Sequence, residues 1–410
     1  MKTAKKAVMY GAGNIGRGFI GQLFSESGYE VAFIDINEKV IDALNRDREY
    51  PVVIVRPDGI EELSVKRVRG VLGTTPEIVA AEMKDCDIMA TALGVNVLKY
   101  VAKNLAAGIK QRIDAKKPID IIICENLLDA DKYLKGLILK ELPESYAAVF
   151  DRYVGLVEAS IGRMVPVMDE NMQAGNILRV YVEEYGYLPV DKAAFKNPIP
   201  KIKNLYPYAP FGLFIQRKLF MHNMSHALTA YLGALKGYAY IADAIGDAGI
   251  ENIVYAALVR SAQGLSIKHG ADINALLAHA SNLIYRFKNK GLRDTVARVG
   301  RDTQRKLFEN DRLTGALNLV KKHKIPSVCL CAGIAAALLF TGENDAASAE
   351  VCAHTRSAGV QSALEKYCRI DDRETVKTVE KIYADFASGK PLSEIGAYLL
   401  EVENKSATII

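Results

Sequence analysis

The run Ala7-Val8-Met9-Tyr10-Gly11-Ala12-Gly13-Asn14-Ile15-Gly16 constrains this chain more than any other stretch. A short apolar segment, of the kind buried in a parallel strand, leads without a gap into three glycines spaced G-x-G-x-x-G. A helix-like segment over 17–27 follows, and then a second apolar run, Tyr29 to Ile34, that ends at Asp35. A lone G-x-G-x-x-G is weak, but strand, glycine turn, helix, strand and acid within about thirty residues form a specific signal. The first glycine permits a tight turn, the second lets the backbone approach an anion, and the third lets helix pack close on strand. The helix N-terminus adds N–H donors. The pattern predicts a Rossmann-type domain in which Gly11, Ala12, Gly13, Asn14, Ile15 and Gly16 surround a pyrophosphate. Asp35 would accept hydrogen bonds from both ribose hydroxyls. A carboxylate there repels a 2′-phosphate, and Ile36 and Asn37 supply no cation to attract one, so the expected cofactor is NAD rather than NADP.

Further alternations continue the domain. Val40–Arg46 reads as a helix, 51–68 as strands and turns, Asp87–Gly94 as a parallel strand ending in small residues, and Leu98–Lys110 as a helix. Ile119–Cys124 is another strand with Glu125 and Asn126 at its carboxyl end. Ligands collect outside the carboxyl ends of parallel strands, which would put Asn126 near the nicotinamide. The plainer alternative is a turn residue capping the next helix. Val154–Val167 contains Arg163-Met-Val-Pro166, and Asn176–Gly186 alternates like a strand. Pro189, Pro198, Pro200, Pro207 and Pro210 then punctuate the chain, and a boundary near 195 divides 1–195 from 196–410. Beyond it the pattern is helical: 213–236, 240–247, 250–269, 272–287, 293–308, 311–323, 327–340, 345–367 and 373–387. The expected fold is an α/β N-terminal Rossmann-type domain plus an all-α C-terminal domain.

The segment 213–236 carries the chemistry. Pro207 and Pro210 mark its approach and Gly237 its stop. At about 100° per residue Lys218, His226 and Asn223 fall near 0°, 80° and 140°, on one broad face. Their neighbours Leu219, Phe220, Met221, Met224, Ala227 and Leu228 belong in a core. A lysine in such surroundings loses water, which lowers its pKa and makes it a usable base. Asn223 and His226 could hold a hydroxyl or carbonyl oxygen beside it. The alternative is a surface lysine, a buried asparagine and a structural histidine that happen to coincide.

Composition narrows the classes. With 410 residues, half of them apolar and a quarter charged, the chain reads as an ordinary globular protein of two or three domains. A net charge of +5, with Lys and Arg interleaved among acids, argues against a nucleic-acid binder and suits an anionic small substrate. Asn14 and Arg17 interrupt the apolar run behind Lys2, Lys5 and Lys6, so no signal peptide is expected. The run Val328–Phe340 is too short to cross a membrane. Six cysteines without a CxxC pair fit free thiols in a reducing cytoplasm. His222 and His226 are four apart but lack an intervening Glu, and no metal site is expected.

These residues carry a resemblance. Gly-Ala-Gly-Asn-Ile-Gly-Arg-Gly at 11–18, Cys-Glu-Asn at 124–126, Arg-Lys-Leu-Phe at 217–220 and the Asn223/His226 pair resemble the polyol-specific long-chain dehydrogenases, the mannitol dehydrogenase family. His-Ala-Leu-Thr-Ala-Tyr-Leu-Gly at 226–233, Arg-Val-Gly-Arg at 298–301, Arg-Lys-Leu at 305–307, Asp-Arg-Leu at 311–313 and Gly-Ile-Ala-Ala-Ala-Leu at 333–338 extend it over nearly the whole chain. The resemblance implies a zinc-independent secondary-alcohol dehydrogenase with its active site in the cleft between a Rossmann-type and a helical domain. Lys218 would be the general base, Asn126 and Asn223 would hold the reacting oxygen, and His226 would orient the substrate. The implied substrate pair is a polyol phosphate and a ketose phosphate, D-mannitol 1-phosphate and D-fructose 6-phosphate. Hexuronate reduction or oxidation of free mannitol are the alternatives within the family, and an NAD-binding protein without turnover lies outside it. The implied protein is cytoplasmic, a monomer or small homo-oligomer, without nucleic-acid or membrane partners. One departure stands out: where the family pattern has Val-Asp-Arg, this chain has Ile161-Gly162-Arg163.

For the phosphate, Arg298, Arg301 and Arg305 would form one helical stripe within 293–308, and like charges stacked this way need an offset. Solvent and Asp294, Asp302 and Glu309 could supply it. Alternatively Arg298, Arg301 and Lys306 reach the substrate, where an arginine fork suits a phosphate.

Overall fold

The computed structural model describes residues 5–166 and 168–407. Lys2 and the expected segment end at Val167 lie outside these residues. The chain divides into two compact units, Met1–Ile215 and Gln216–Ile410.

All strands among the described residues lie in the first unit: β1 (Lys6–Tyr10), β2 (Glu30–Asp35), β3 (Glu49–Arg56), β4 (Gly59–Lys66), β5 (Val68–Leu72), β6 (Ile88–Thr91), β7 (Ile119–Ile123), β8 (Val154–Glu158), β9 (Val180–Glu183), β10 (Leu188–Asp191) and β11 (Leu205–Tyr208). Six of them form one parallel sheet in the order β5-β2-β1-β6-β7-β8. The order reverses between β1 and β6, which is where a doubly wound sheet opens a crevice for a ligand. Strand periodicity sends alternate residues to opposite faces. Ala7 and Met9 pack with Phe19, Leu23 and Phe24, while Val8 and Tyr10 pack with Leu98, Leu105 and Ile109. Covered on both faces, these strands read as continuous apolar runs rather than as alternations.

The boundary expected near 195 comes too early. Asp120, buried near the start of β7, accepts hydrogen bonds from Lys196 N (2.7 Å), Asn197 N (3.1 Å) and Asn197 Nδ2 (2.8 Å). β10 then pairs in parallel with β11, and both belong to the first unit. The prolines mark an irregular path, not a separation. The expected strand over 176–186 shrinks to β9, because Asn176 turns the chain and accepts from Leu178 N at 2.9 Å. Helices Ala130–Glu141 and Glu144–Tyr153 are additions to the expected set.

In the second unit every described element is helical. Val328–Leu339 is buried on all sides from Cys329 to Leu338, as a core helix without a polar face should be. All six cysteines are free and buried. No helix among the described residues is long and apolar enough to cross a membrane. The single helix expected over 293–308 is two short ones, Val296–Gly300 and Thr303–Leu307. Between them Arg301 is extended and Asp302 is left-handed (φ 62°). Two contacts explain the break. Asp302 N–H donates to Asp345 Oδ2 (3.0 Å), and the Lys306 ammonium donates to the carbonyls of Val299 (2.6 Å) and Arg301, where a continuing helix would have used them. The stripe of Arg298, Arg301 and Arg305 therefore does not form. The helix Leu392–Ala407 also lies beyond the expected set.

Close helix–strand contact in the first unit depends on Gly21, where a Cβ would meet Phe33 Cζ at 2.3 Å and Gly16 O at 2.8 Å. Gly21→Ala should destabilise this unit by about 1–3 kcal/mol through overpacking, read as a lower denaturant midpoint. An unchanged midpoint would show that the Phe33 ring swings aside at little cost.

Candidate active site

The glycine turn sits at the carboxyl end of β1, at the switch point. Gly11 adopts φ 105°, and a Cβ there would stand 2.4 Å from Ala92 O; one at Gly16 would stand 2.0 Å from Gly11 O. Both positions exclude a side chain, whereas the space over Gly13 is open to 4 Å. That combination fits a backbone approached by a ligand, as a pyrophosphate requires. Asp35, at the end of β2, accepts from Ala12 N through Oδ2 (2.7 Å) and from Ile36 N (2.8 Å) and Asn37 N (3.0 Å) through Oδ1. Its carboxylate is thus aimed by the loop it faces. Asn14 Nδ2 donates to Pro166 O at 3.4 Å, and Ile15 lies in the helix that the turn opens. Arg17, which the sequence offers only as a break in an apolar run, is buried and donates to the carbonyls of Ala12 and Leu178, tying the turn to the 178 segment. Its place inside Gly-Asn-Ile-Gly-Arg was the available signal.

At the neighbouring strand ends Glu125 is buried and accepts from Leu93 N (2.9 Å) and Gly94 N (2.8 Å). It ties the loop after β6 to the loop after β7 and leaves Asn126, the next residue, exposed at the carboxyl edge of the sheet. In the adjacent pattern departure, a Cβ on Gly162 would stand 3.0 Å from Tyr185 Cε1, so the ring occupies space a larger residue would need.

In the second unit the helical run does not wind uniformly. Lys218–Asn223 is a π segment between α-helical Gly212–Arg217 and Met224–Leu235. With i→i+5 bonds residues five apart stack, so Asn223 turns toward Lys218 further than a 100° step allows. From Phe220 to Gly233 only Asn223 and His226 keep part of their surface, and Lys218 is half-buried one wide turn earlier. These three residues are therefore brought onto one accessible stripe.

His226 stacks on Phe287 (centroids 4.9 Å apart, 15° between planes). Its Nε2 lies 3.0 Å from Asp294 Oδ2. The His222 ring lies 6.0 Å from it, centroid to centroid, and is buried. Burial first, then Arg286, holds His222 well below the usual histidine range. Asp294 is the second residue missed as a site component. From the sequence it is only one of three acids, with Asp302 and Glu309, that could offset the arginine stripe.

The three expected phosphate residues are not grouped. Arg298 is exposed and donates to Asp294 Oδ1 through Nε (2.8 Å) and NH2 (2.6 Å). Arg301 is exposed on the extended link. Lys306 is buried on two carbonyls, and burial followed by Arg312 and Arg305 pushes its pKa down to about 7. A cavity of about 310 Å³ opens beside Asp294, lined also by Tyr240, Asp243, Lys290 and Arg293.

Comparison with known proteins gives the same picture along the whole chain. Residues 5–204 match the mannitol dehydrogenase Rossmann domain and residues 212–394 the mannitol dehydrogenase C-terminal domain. The chain is 35% identical over 365 residues to mannitol-1-phosphate 5-dehydrogenase of Buchnera aphidicola subsp. Acyrthosiphon pisum (strain APS), covering 88% of this chain and 94% of that protein. In fold it is similar to Pseudomonas fluorescens mannitol 2-dehydrogenase in ternary complex with NAD and D-mannitol (TM-score 0.74, 15% identity, 98% of this chain and 95% of that one). It is also similar to D-sorbitol dehydrogenase in substrate-free form (TM-score 0.77, 16% identity, 95% and 96%). Matched in both of its domains, the chain belongs to the mannitol dehydrogenase family of oxidoreductases.

Proposed function

We propose that this chain interconverts D-mannitol 1-phosphate and D-fructose 6-phosphate with NAD, using Lys218 as general base and no metal. The observation that carries the reading is the accessible stripe Lys218, Asn223 and His226 on an otherwise buried helical run, in a chain 35% identical to a mannitol-1-phosphate 5-dehydrogenase. The open space over Gly13 and the carboxylate of Asp35 fit the cofactor: the 11–16 turn would hold its pyrophosphate and Asp35 its adenosine ribose. Bound NAD would supply the acceptor for the hydride.

The residues then divide the remaining work. The neutral amine of Lys218 takes the hydroxyl proton as the carbinol C–H bond breaks, and its ammonium returns that proton in the reverse direction. Asn126 and Asn223 donate side-chain N–H bonds to the same oxygen as alcohol and as developing carbonyl. His226 orients a neighbouring hydroxyl. For the phosphate, the expectation narrows from Arg298, Arg301 and Lys306 to Arg301, because the other two side chains are engaged by Asp294 and by backbone carbonyls. The reading describes a cytoplasmic enzyme of small molecules, a monomer or small homo-oligomer, that needs no nucleic-acid or membrane partner.

The test is NADH oxidation with fructose 6-phosphate, free fructose, tagaturonate and fructuronate. Fructose 6-phosphate should be used best. A hexuronate used best would make the protein a hexuronate reductase, free fructose a mannitol 2-dehydrogenase, and NADH binding without turnover a silent family member. In the same assay Lys218→Ala should lose about 10²- to 10⁴-fold in kcat while still binding NADH. A chelator that abolishes activity, restored by zinc, would contradict the amine base.

Cofactor choice is checked with Asp35→Asn, which removes the charge and keeps one of the two acceptor oxygens. The NAD-over-NADP ratio of kcat/KM should fall about 10- to 100-fold, corresponding to a charge-assisted hydrogen bond of about 1.5–3 kcal/mol. A wild-type enzyme equally efficient with both cofactors would dispose of the role given to Asp35.

Arg301→Ala should weaken fructose 6-phosphate use about 10- to 100-fold and leave free fructose nearly untouched. Equal losses for both sugars would take Arg301 out of the phosphate site.

A further inference from the structure

Asp294 is built into a rigid place. Its carbonyl accepts from Ile241 N (2.9 Å), Val296 N–H donates to Ala239 O (2.9 Å), and Thr295 caps the following helix by accepting from Arg298 N (3.2 Å). The backbone of 294–296 is thus clamped to 239–241, which fixes where the carboxylate stands. That carboxylate is 9% exposed and divides its oxygens: Oδ1 takes the Arg298 guanidinium, Oδ2 faces His226 Nε2 at 3.0 Å.

A buried carboxylate is costly unless paired. Burial pushes Asp294 upward, but His226 and Arg298 outweigh it and hold its pKa below the usual carboxylate range. It is therefore an anion at neutral pH, set against the imidazole of the catalytic stripe. Phe287 covers one face of that imidazole, so the stack and the carboxylate together restrain how the ring turns. A carboxylate at such a distance also favours the tautomer with hydrogen on Nε2, which leaves Nδ1 as the acceptor.

We propose that Asp294, itself held by Arg298, is a positioning residue that fixes the orientation and tautomer of His226 for the substrate hydroxyl. The role rests on the reading of His226 given above. It also accounts for Arg298: the arginine expected at the phosphate instead neutralises and aims the carboxylate behind the histidine. Carboxylates behind metal-bound histidines typically account for about 10- to 100-fold in activity, and a loss of the same order is expected here.

A double-mutant cycle tests the coupling, because residues acting through one another do not add. The kcat/KM for fructose 6-phosphate is measured in Asp294→Ala, His226→Ala and the double variant, with melting temperature and NADH affinity for each. Asp294→Ala should lose about 10- to 100-fold with NADH affinity unchanged, and the double variant should be no worse than His226→Ala. Losses that multiply would overturn the proposal. His226→Ala at full activity would remove His226 from the reaction altogether, a failure of the earlier reading that is distinct from multiplying losses. Should Asp294→Ala not fold, the near-isosteric Asp294→Asn and the exposed Arg298→Ala replace it. Arg298→Ala should weaken the use of fructose 6-phosphate and free fructose by the same factor, again without adding to His226→Ala. A loss confined to the phosphorylated sugar would return Arg298 to the phosphate and overturn the assignment.

Discussion

Buried or half-buried carboxylates that accept backbone N–H groups hold this architecture in place. Asp35 takes Ala12 N, Glu125 takes Leu93 N and Gly94 N, Asp120 takes Lys196 N and Asn197 N, and Asp345 takes Asp302 N. Hydrogen bonds to a charged acceptor contribute about 1.5–3 kcal/mol each, more than neutral ones. Each of these acids joins segments distant in sequence at a loop or strand end, where the backbone has no ladder partner. Two of them, Asp35 and Glu125, stand at the carboxyl edge of the parallel sheet, so the edge that a doubly wound fold gives to ligands has its loops tied by carboxylates. A loop held this way can present Asn126 or the open face over Gly13 without first ordering itself, and the entropy of that ordering is not charged to ligand binding.

The helical unit solves the same problem by interrupting its own regularity. The π segment at Lys218–Asn223, the break at Arg301–Asp302 and the left-handed Gly359 (φ 89°) all depart from a uniform 3.6-residue winding. At Lys218 the departure turns Asn223 further toward the lysine on a face that ordinary winding already gives them. At Arg301 it has the opposite effect: it scatters a row of arginines that a continuous helix would have aligned. Whether a cluster of like charge exists at all is decided by two backbone carbonyls given to Lys306.

Much of this was legible in the chain itself. The apolar runs of β1, β2, β6 and β7 and the glycine spacing carry local signals strong enough to specify both strand and turn, and the stripe at 218–226 survives because helical periodicity tolerates one wide turn. The domain boundary was not legible, because the tie that draws 196–197 back to the first unit is a carboxylate on β7, far away in sequence. Helix Ala130–Glu141 did offer a signal, with Ala130, Leu134 and Ile138 buried at four-residue spacing. The break inside 293–308 could not be read, since Asp302 and Lys306 look like ordinary helical surface residues until their tertiary partners are known.

Asp294 illustrates why charge patterns in sequence mislead about sites. Arg298 and Asp294 are four apart, the spacing of a commonplace helical ion pair, and such exposed pairs contribute about 0.3–0.5 kcal/mol. Here the acid is not on the helix but just ahead of it, anchored by the 239–241 segment and turned inward against His226. The arginine stays outside while the carboxylate it neutralises is almost fully buried. The pair therefore spans from solvent to His226, and its energetic weight lies in keeping an anion in a nearly buried place. Sequence spacing reports that two charges can meet; only the placement of the backbone between them decides which of the two faces His226.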